Sequence, residues 1–162
     1  MVELTPVWPN AIASSWHFYL EGVSEVLRHT KPQTQTFARM YNELLNGFLT
    51  LWEGRIDGVY QGFITTHIER VPFDPTNNPH IPVDSCELVV VHGFAKTGLS
   101  KDAMIEAMTH PALVAYAKQA RCTHISFFSM RDVKQMSAWE RRMADIGITR
   151  SYTKFIIPLK EV

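Results

Sequence analysis

The chain has 162 residues and a formal net charge of zero; 46% of its residues are hydrophobic and 20% are charged. That length and balance describe one globular domain (residues 1–162) able to bury roughly 70% of its unfolded surface, and they argue against a uniformly basic nucleic-acid binder. The zero conceals a split: residues 1–95 carry 5 Lys/Arg and 10 Asp/Glu, whereas residues 96–162 carry 11 and 6.

In chain order, the opening stretch MVELTPVWPN lacks a basic region followed by a long apolar run, so it does not read as a secretory signal. Asn10 after Pro9 is a candidate cap for a helix running to about His29, with Ile12, Trp16, Tyr19, Leu20, Val23 and Leu27 at helical spacing. Gly22 is an unfavourable residue in its middle. A second helix fits Thr36 to Asn46, with Phe37, Met40, Tyr41, Leu44 and Leu45 on one side. Phe48 to Ile56 and Val59 to Arg70 read as strands joined at Asp57-Gly58, a strong hairpin signal. Pro72, Pro75, Pro79 and Pro82 make residues 71–84 a long loop, suited to closing over a substrate or to serving as an interaction arm. Cys86 to Val91 reads as a buried strand, and Gly93 to Ser100 as a connection. A helical pattern from Lys101 to Ala120 is interrupted at Pro111, where Thr109 is a candidate cap for the second piece. His124 to Ser129 is a further strand, Arg131 to Ile146 an amphipathic helix stopped by Gly147, and Thr149 to Leu159 a final strand.

The apolar runs, such as Leu88–Val91 and Phe155–Ile157, fall far short of the ~20 residues that span a bilayer. No membrane partner is therefore expected. Cys86 and Cys122 would pair only if the fold brought them together; the simpler reading is two reduced core cysteines in an intracellular protein. Seven scattered histidines and the absence of any CxxC give no metal signal, and neither a GxSxG elbow nor a Walker-type phosphate loop is present.

The order helix, helix, strand, strand, strand, helix, strand, helix, strand predicts a mixed α/β fold with a central sheet. That order resembles the GNAT (Gcn5-related N-acetyltransferase) superfamily. Asp57-Gly58-Val59-Tyr60-Gln61-Gly62-Phe63 resembles its DGxxxGF hairpin, and Glu87 to Val91 the strand before its cofactor loop. Ala112 to Ile125 resembles the crossover helix and following strand, and Trp139 to Ile148 the last helix. The chain is also similar to short GNAT-like proteins of bacteriophage genomes, some associated with virions.

The resemblance implies acetyl-CoA or another acyl-CoA as cofactor, with its pyrophosphate on a [QR]xxGx[GA] loop at a helix N-terminus. Here the loop is Ala95-Lys96-Thr97-Gly98-Leu99-Ser100; Gly98 matches, Ala95 and Ser100 depart. Lys96, Thr97, Gly98, Ser100 and Lys101 are the implied phosphate contacts, and backbone N–H groups at Val91 and Gly93 the implied thioester contacts. The plain alternative is a capped helix start with solvated lysines. The family's Asn and Tyr on the last helix fall at Met136 and Met143, which lack that chemistry. Tyr152 is then the nearest substitute proton donor.

Candidate general bases are Glu87, where some relatives place a Glu, and His92, whose reference pKa near 6.5 suits proton transfer. Glu69 and His67 lie on the preceding strand. The alternative for each is a solvated strand residue. Glu87 and His92 are an odd number of positions apart and so lie on opposite faces of their strand.

Two functions follow. One is an N-acyltransferase with a small-molecule or protein amine acceptor. The other is a non-catalytic GNAT-like protein, a virion structural or accessory component, acting through protein–protein contacts. An oligomer joined head to tail, basic half against acidic half, fits the charge split.

Overall fold

A computed structural model of the protein describes residues 1–29, 35–70, 86–96, 101–128, 149–151 and 154–159. The expected loop at 71–84 and the expected helix at 131–146 lie outside the described residues. Within them the elements are β1 (Val2–Val7), α1 (Pro9–His29), α2 (Phe37–Leu45), β2 (Thr50–Ile56), β3 (Val59–Arg70), β4 (Cys86–Ala95), α3 (Lys101–Met108), α4 (Pro111–Gln119), β5 (His124–Phe128), β6 (Thr149–Ser151) and β7 (Lys154–Pro158). This is the mixed α/β architecture expected from the sequence. The chain forms two compact units interleaved along the sequence, Met1–His67 with Val91–Leu113, and Ile68–Val90 with Val114–Val162.

In the first unit the strand order is β1-β2-β3, followed by the Val91–Ala95 end of β4. The sequence reading missed β1. Its V-E-L-T alternation buries Val2 and Leu4 and exposes Glu3 and Thr5. It pairs antiparallel with β2 from Val2↔Ile56 to Val7↔Leu51. Pro6 fits because β1 is an edge strand. Its first N–H donates to Glu106 Oε1 of α3 at 2.8 Å.

Helix α1 starts two residues earlier than a cap at Asn10 implies. Pro9 occupies its first turn, where no N–H is needed, and Ile12 N–H donates to the Trp8 carbonyl at 3.0 Å. Asn10 is inside the helix, its Oδ1 accepting from the adjacent Ala11 N–H. Ile12, Tyr19 and Val23 are buried as expected, while Leu20 is exposed. Gly22 proves to be a contact residue. A Cβ there would stand 2.6 Å from the rings of both Phe63 and Phe94. Helix α2 begins as the sequence predicts, with the Thr36 side chain accepting from Arg39 N–H. Met40 and Leu44 are buried, but Phe37 is exposed. These two helices, β2 and β3 close one core around Ile12, Tyr19, Val23, Met40, Leu44, Leu51 and Phe63.

In the second unit the strand order is β4-β5-β7-β6. Strands β4 and β5 are parallel, as the crossover predicts, with register from Glu87↔His124 to Val90↔Phe127. The expected single strand at 149–159 is instead two, β6 and β7, paired antiparallel from Thr149↔Ile156 to Ser151↔Lys154. Alternation reads the same along both arms of such a pair, so it could not reveal the break.

The helical stretch from Lys101 divides at Pro111 as expected. The cap differs: His110 Nδ1 accepts from Ala112 N–H at 3.2 Å, whereas Thr109 Oγ1 turns back to the Ile105 carbonyl. Helix α4 ends in a Schellman motif, with Cys122 N–H on the Ala117 carbonyl and Arg121 N–H on the Lys118 carbonyl. Arg121 takes the left-handed position, φ 60°.

Candidate functional site

The hairpin motif has a steric reason. The β2–β3 register shifts between Gly54, opposite Gly62, and Arg55, opposite Tyr60, leaving Gln61 as a bulged residue on β3. The Gln61 carbonyl accepts from Lys96 N–H at 2.8 Å. Gly62 next to it has φ 158°, and a Cβ there would come within 2.1 Å of the Phe94 carbonyl oxygen. No side chain fits. The bulge and the bare glycine together seat the end of β4 and Lys96 after it. This also corrects the expected connection from Gly93: β4 runs on to Ala95, since β3 supplies its partner.

His92 is on this part of β4 and is buried, not solvated. Its Nδ1 is hydrogen-bonded to Thr65 Oγ1 of β3 at 2.7 Å. Burial pushes its pKa from the usual 6.5 down to about 4, against an opposing pull from the Glu43 carboxylate. The imidazole is therefore uncharged at neutral pH, and weaker as a base than its reference value suggests. Glu43 on α2 binds Arg39 Nε at 2.8 Å and Gln35 Nε2 at 3.0 Å. Burial raises its pKa, but those two hydrogen bonds outweigh it and leave the carboxyl below its usual range. His67, expected to be a solvated strand residue, stacks on Phe48 with ring centroids 5.5 Å apart.

Lys96, at the end of the strand, is exposed, and its Nζ lies 5.2 Å from the centre of the Tyr60 ring. Tyr60 packs with Phe18 and Tyr19, and its buried hydroxyl has no hydrogen-bond partner among the described residues. Desolvation pushes that hydroxyl's pKa up. Tyr19 donates to Glu53 Oε2 at 2.8 Å; burial, followed by that hydrogen bond, pushes its pKa up to about 12. Glu53 is also paired with Arg55. Val91 and Gly93 are exposed on β4, and a Cβ on Gly93 would meet only Ile64 Cγ2, at 3.8 Å.

In the second unit Glu87 is likewise buried, correcting the solvated reading. Its Oε2 is 2.8 Å from His124 Nε2 on β5, the residue directly opposite in the parallel register. His124 Nδ1 lies 2.9 Å from Thr123 Oγ1, which donates to the Cys86 carbonyl at 3.1 Å. A hydroxyl has one proton, so while Thr123 donates it to Cys86, His124 Nδ1 must donate to Thr123. One further proton then joins Nε2 to Oε2, and the pair carries no net charge. That neutrality is how a carboxylate and an imidazole coexist inside the sheet.

The expected bases are thus held by different partners, His92 by Thr65 and Glu87 by His124. Sequence reasoning missed both partners. The signal available was a hydroxyl pair, Thr65-Thr66, and a histidine placed in otherwise apolar strands. Lys101 opens α3. Thr97, Gly98, Ser100, Tyr152, Met136 and Met143 lie outside the described residues. No helix among the described residues is long and apolar enough to cross a membrane.

No protein-family model matches the chain, and no curated protein matches it in sequence. Solved structures do match. NAA60 of Arabidopsis thaliana, in complex with a bisubstrate analogue, superposes with a TM-score of 0.62 at 13% identity, over 99% of this chain and 100% of that one. The chain has the GNAT fold. A predicted acetyltransferase of Clostridium acetobutylicum, solved with acetyl-CoA, gives 0.59 at 12% identity over 94% and 92% of the two chains. A ribosomal-protein-alanine N-acetyltransferase of Brucella melitensis biovar Abortus gives 0.56 at 11%, over 88% and 90%. At such identities the fold is what is shared.

Proposed function

We propose that the protein is an acyl-CoA-dependent N-acyltransferase whose acceptor is an amine. The observation that carries this reading is the way β4 is divided. Among the described residues its pairing with β5 runs from Glu87 to Val90, and the strand continues through Val91, His92 and Gly93 to an end seated by Gly62. Val91 and Gly93, both exposed, are the residues whose backbone N–H groups would hydrogen-bond an acyl-CoA thioester and pantetheine arm in this reading. Structures sharing the fold have been solved with acetyl-CoA, which supports the same ligand here.

The residues present suit such a ligand in charge. Lys96 leaves the strand as an exposed cation, and Lys101 begins a helix, where backbone N–H groups favour an anion. Thr97, Gly98 and Ser100 are the intervening phosphate contacts in this reading. Bound acyl-CoA supplies an activated acyl carbon for attack by the amine. His92, uncharged at neutral pH, takes a proton on Nε2, the ring nitrogen not engaged by Thr65, directly or through water. Glu87 is held by His124, so His92 is the better placed of the two bases. For the CoA thiolate, Tyr152 is the proton donor that the sequence offers.

Calorimetry and thermal shift with acetyl-CoA and free CoA test the reading. Micromolar binding supports it. No binding at millimolar ligand overturns it and leaves the non-catalytic protein, acting through its surface.

A further inference from the structure

We infer that Cys86 and Cys122 form a reactive dithiol, a site of reversible oxidation by hydroperoxides or small disulfides. Their sulfurs are 3.6 Å apart, although the residues are separated by 36 positions. Both are free thiols. The approach is built by the backbone. The left-handed turn at Arg121 ends α4 and delivers Cys122, whose N–H is held on the Ala117 carbonyl at 2.8 Å. Thr123 N–H then donates to the Cys86 carbonyl at 2.8 Å, and the Thr123 hydroxyl donates to the same oxygen. Two hydrogen bonds thus fasten the residue before β5 to the first residue of β4. Closing the sulfurs from 3.6 Å to a bond of about 2.05 Å shortens their separation by roughly 1.5 Å.

The two thiols are unequal. Cys86 is half-buried and so within reach of a small oxidant, while Cys122 is buried. Burial, then the contact with Cys86, pushes the Cys122 pKa up to about 12, which keeps it a thiol. Cys86 is therefore the attacking residue. Its thiolate attacks a peroxide oxygen: an S–O bond forms, the O–O bond breaks, and hydroxide or an alkoxide leaves and is protonated. Sulfur is oxidised to a sulfenic acid and the peroxide is reduced. The Cys122 sulfur then attacks the Cys86 sulfur; S–S forms, S–O breaks, and the departing hydroxide takes the Cys122 proton as water. A small disulfide reaches the same state by exchange: the Cys86 sulfur bonds one of its sulfurs and releases the other as a thiol, and the Cys122 sulfur then displaces the second as a thiol; a dithiol reductant reverses the change. The bond would close directly on the Cys86 carbonyl that Thr123 holds, next to the buried His124–Glu87 pair.

The test uses the full chain, reduced with a dithiol, freed of reductant, and exposed to hydrogen peroxide or to oxidised glutathione. Expected is a monomer in which titratable thiols fall from both to none, with a Cys86–Cys122 linked peptide by mass mapping. Its Tm should rise by roughly 5–15 °C and return on reduction. A Cys122→Ala variant should instead accumulate a Cys86 sulfenic acid, trapped by a dimedone-type probe. Retention of both thiols in the oxidised wild type, or disulfide found only between chains, overturns the inference whether or not the variant folds.

Discussion

At the scale of single residues, burial decides what the candidate groups can do. His92 loses its water and keeps one hydroxyl partner, so its pKa falls to about 4. The unfolded chain binds a proton at this residue below about pH 6.5, and the folded chain only below about 4. Folding stability contributed by His92 is therefore complete above pH 6.5 and is lost as pH falls from 6.5 to 4, on the order of 2–3 kcal/mol. Chemical denaturation across that window should show the slope in the wild type and a flatter profile in His92→Asn. Activity that depends on His92 should likewise rise through about pH 4 and level off above it, with no inflection of its own near 6.5. Gly62 illustrates a second residue-scale constraint, because a Cβ would collide with a backbone oxygen and not with a movable side chain. Gly62→Ala should cost about 3 kcal/mol or more in urea denaturation. Neither property was legible in the sequence. A histidine's burial and a glycine's clash depend on Thr65 and Phe94, which lie on other parts of the chain.

At the scale of elements, the break at Pro111 was legible because a proline's effect on its own helix is local. The caps were not: Asn10 lies inside α1, and His110 takes the place expected of Thr109. The end of α4 is set at Arg121. The Schellman turn wants a residue in the left-handed region, and a side chain there costs roughly 1 kcal/mol relative to glycine. Arg121→Gly should raise stability by about 0.5–1 kcal/mol, read as a higher denaturation midpoint with unchanged slope. Strand β1 escaped notice because Pro6 and a short alternation look like an irregular terminus until β2 supplies the partner. The β6–β7 pair was merged into one strand for a related reason: alternation reports which face a residue takes, not whether the chain has turned back.

At the scale of the whole molecule, the charge split gives the remaining prediction. The exposed cation Lys96 and the helix-opening Lys101 begin the basic half, net +5 over residues 96–162. In the proposed acyltransferase, Lys96→Ala/Lys101→Ala should weaken CoA binding by about tenfold or more and reduce its salt dependence. An unchanged affinity by calorimetry would remove those lysines from the site. By itself the sequence determined the fold class, the hairpin at Asp57-Gly58, the parallel crossover between β4 and β5, and a division of charge at the start of the implied cofactor loop. Each is written in local chemistry: turn residues, apolar periodicity and the sign of side chains. Only the tertiary structure decided that Gly62 and Gly22 are contact residues and that His92 is uncharged. It alone matched Glu87 with His124, and brought Cys86 to within 3.6 Å of Cys122. Those are properties of pairs distant in sequence, and a pair acquires its desolvation, its clash or its shared proton only once folding has brought both members together.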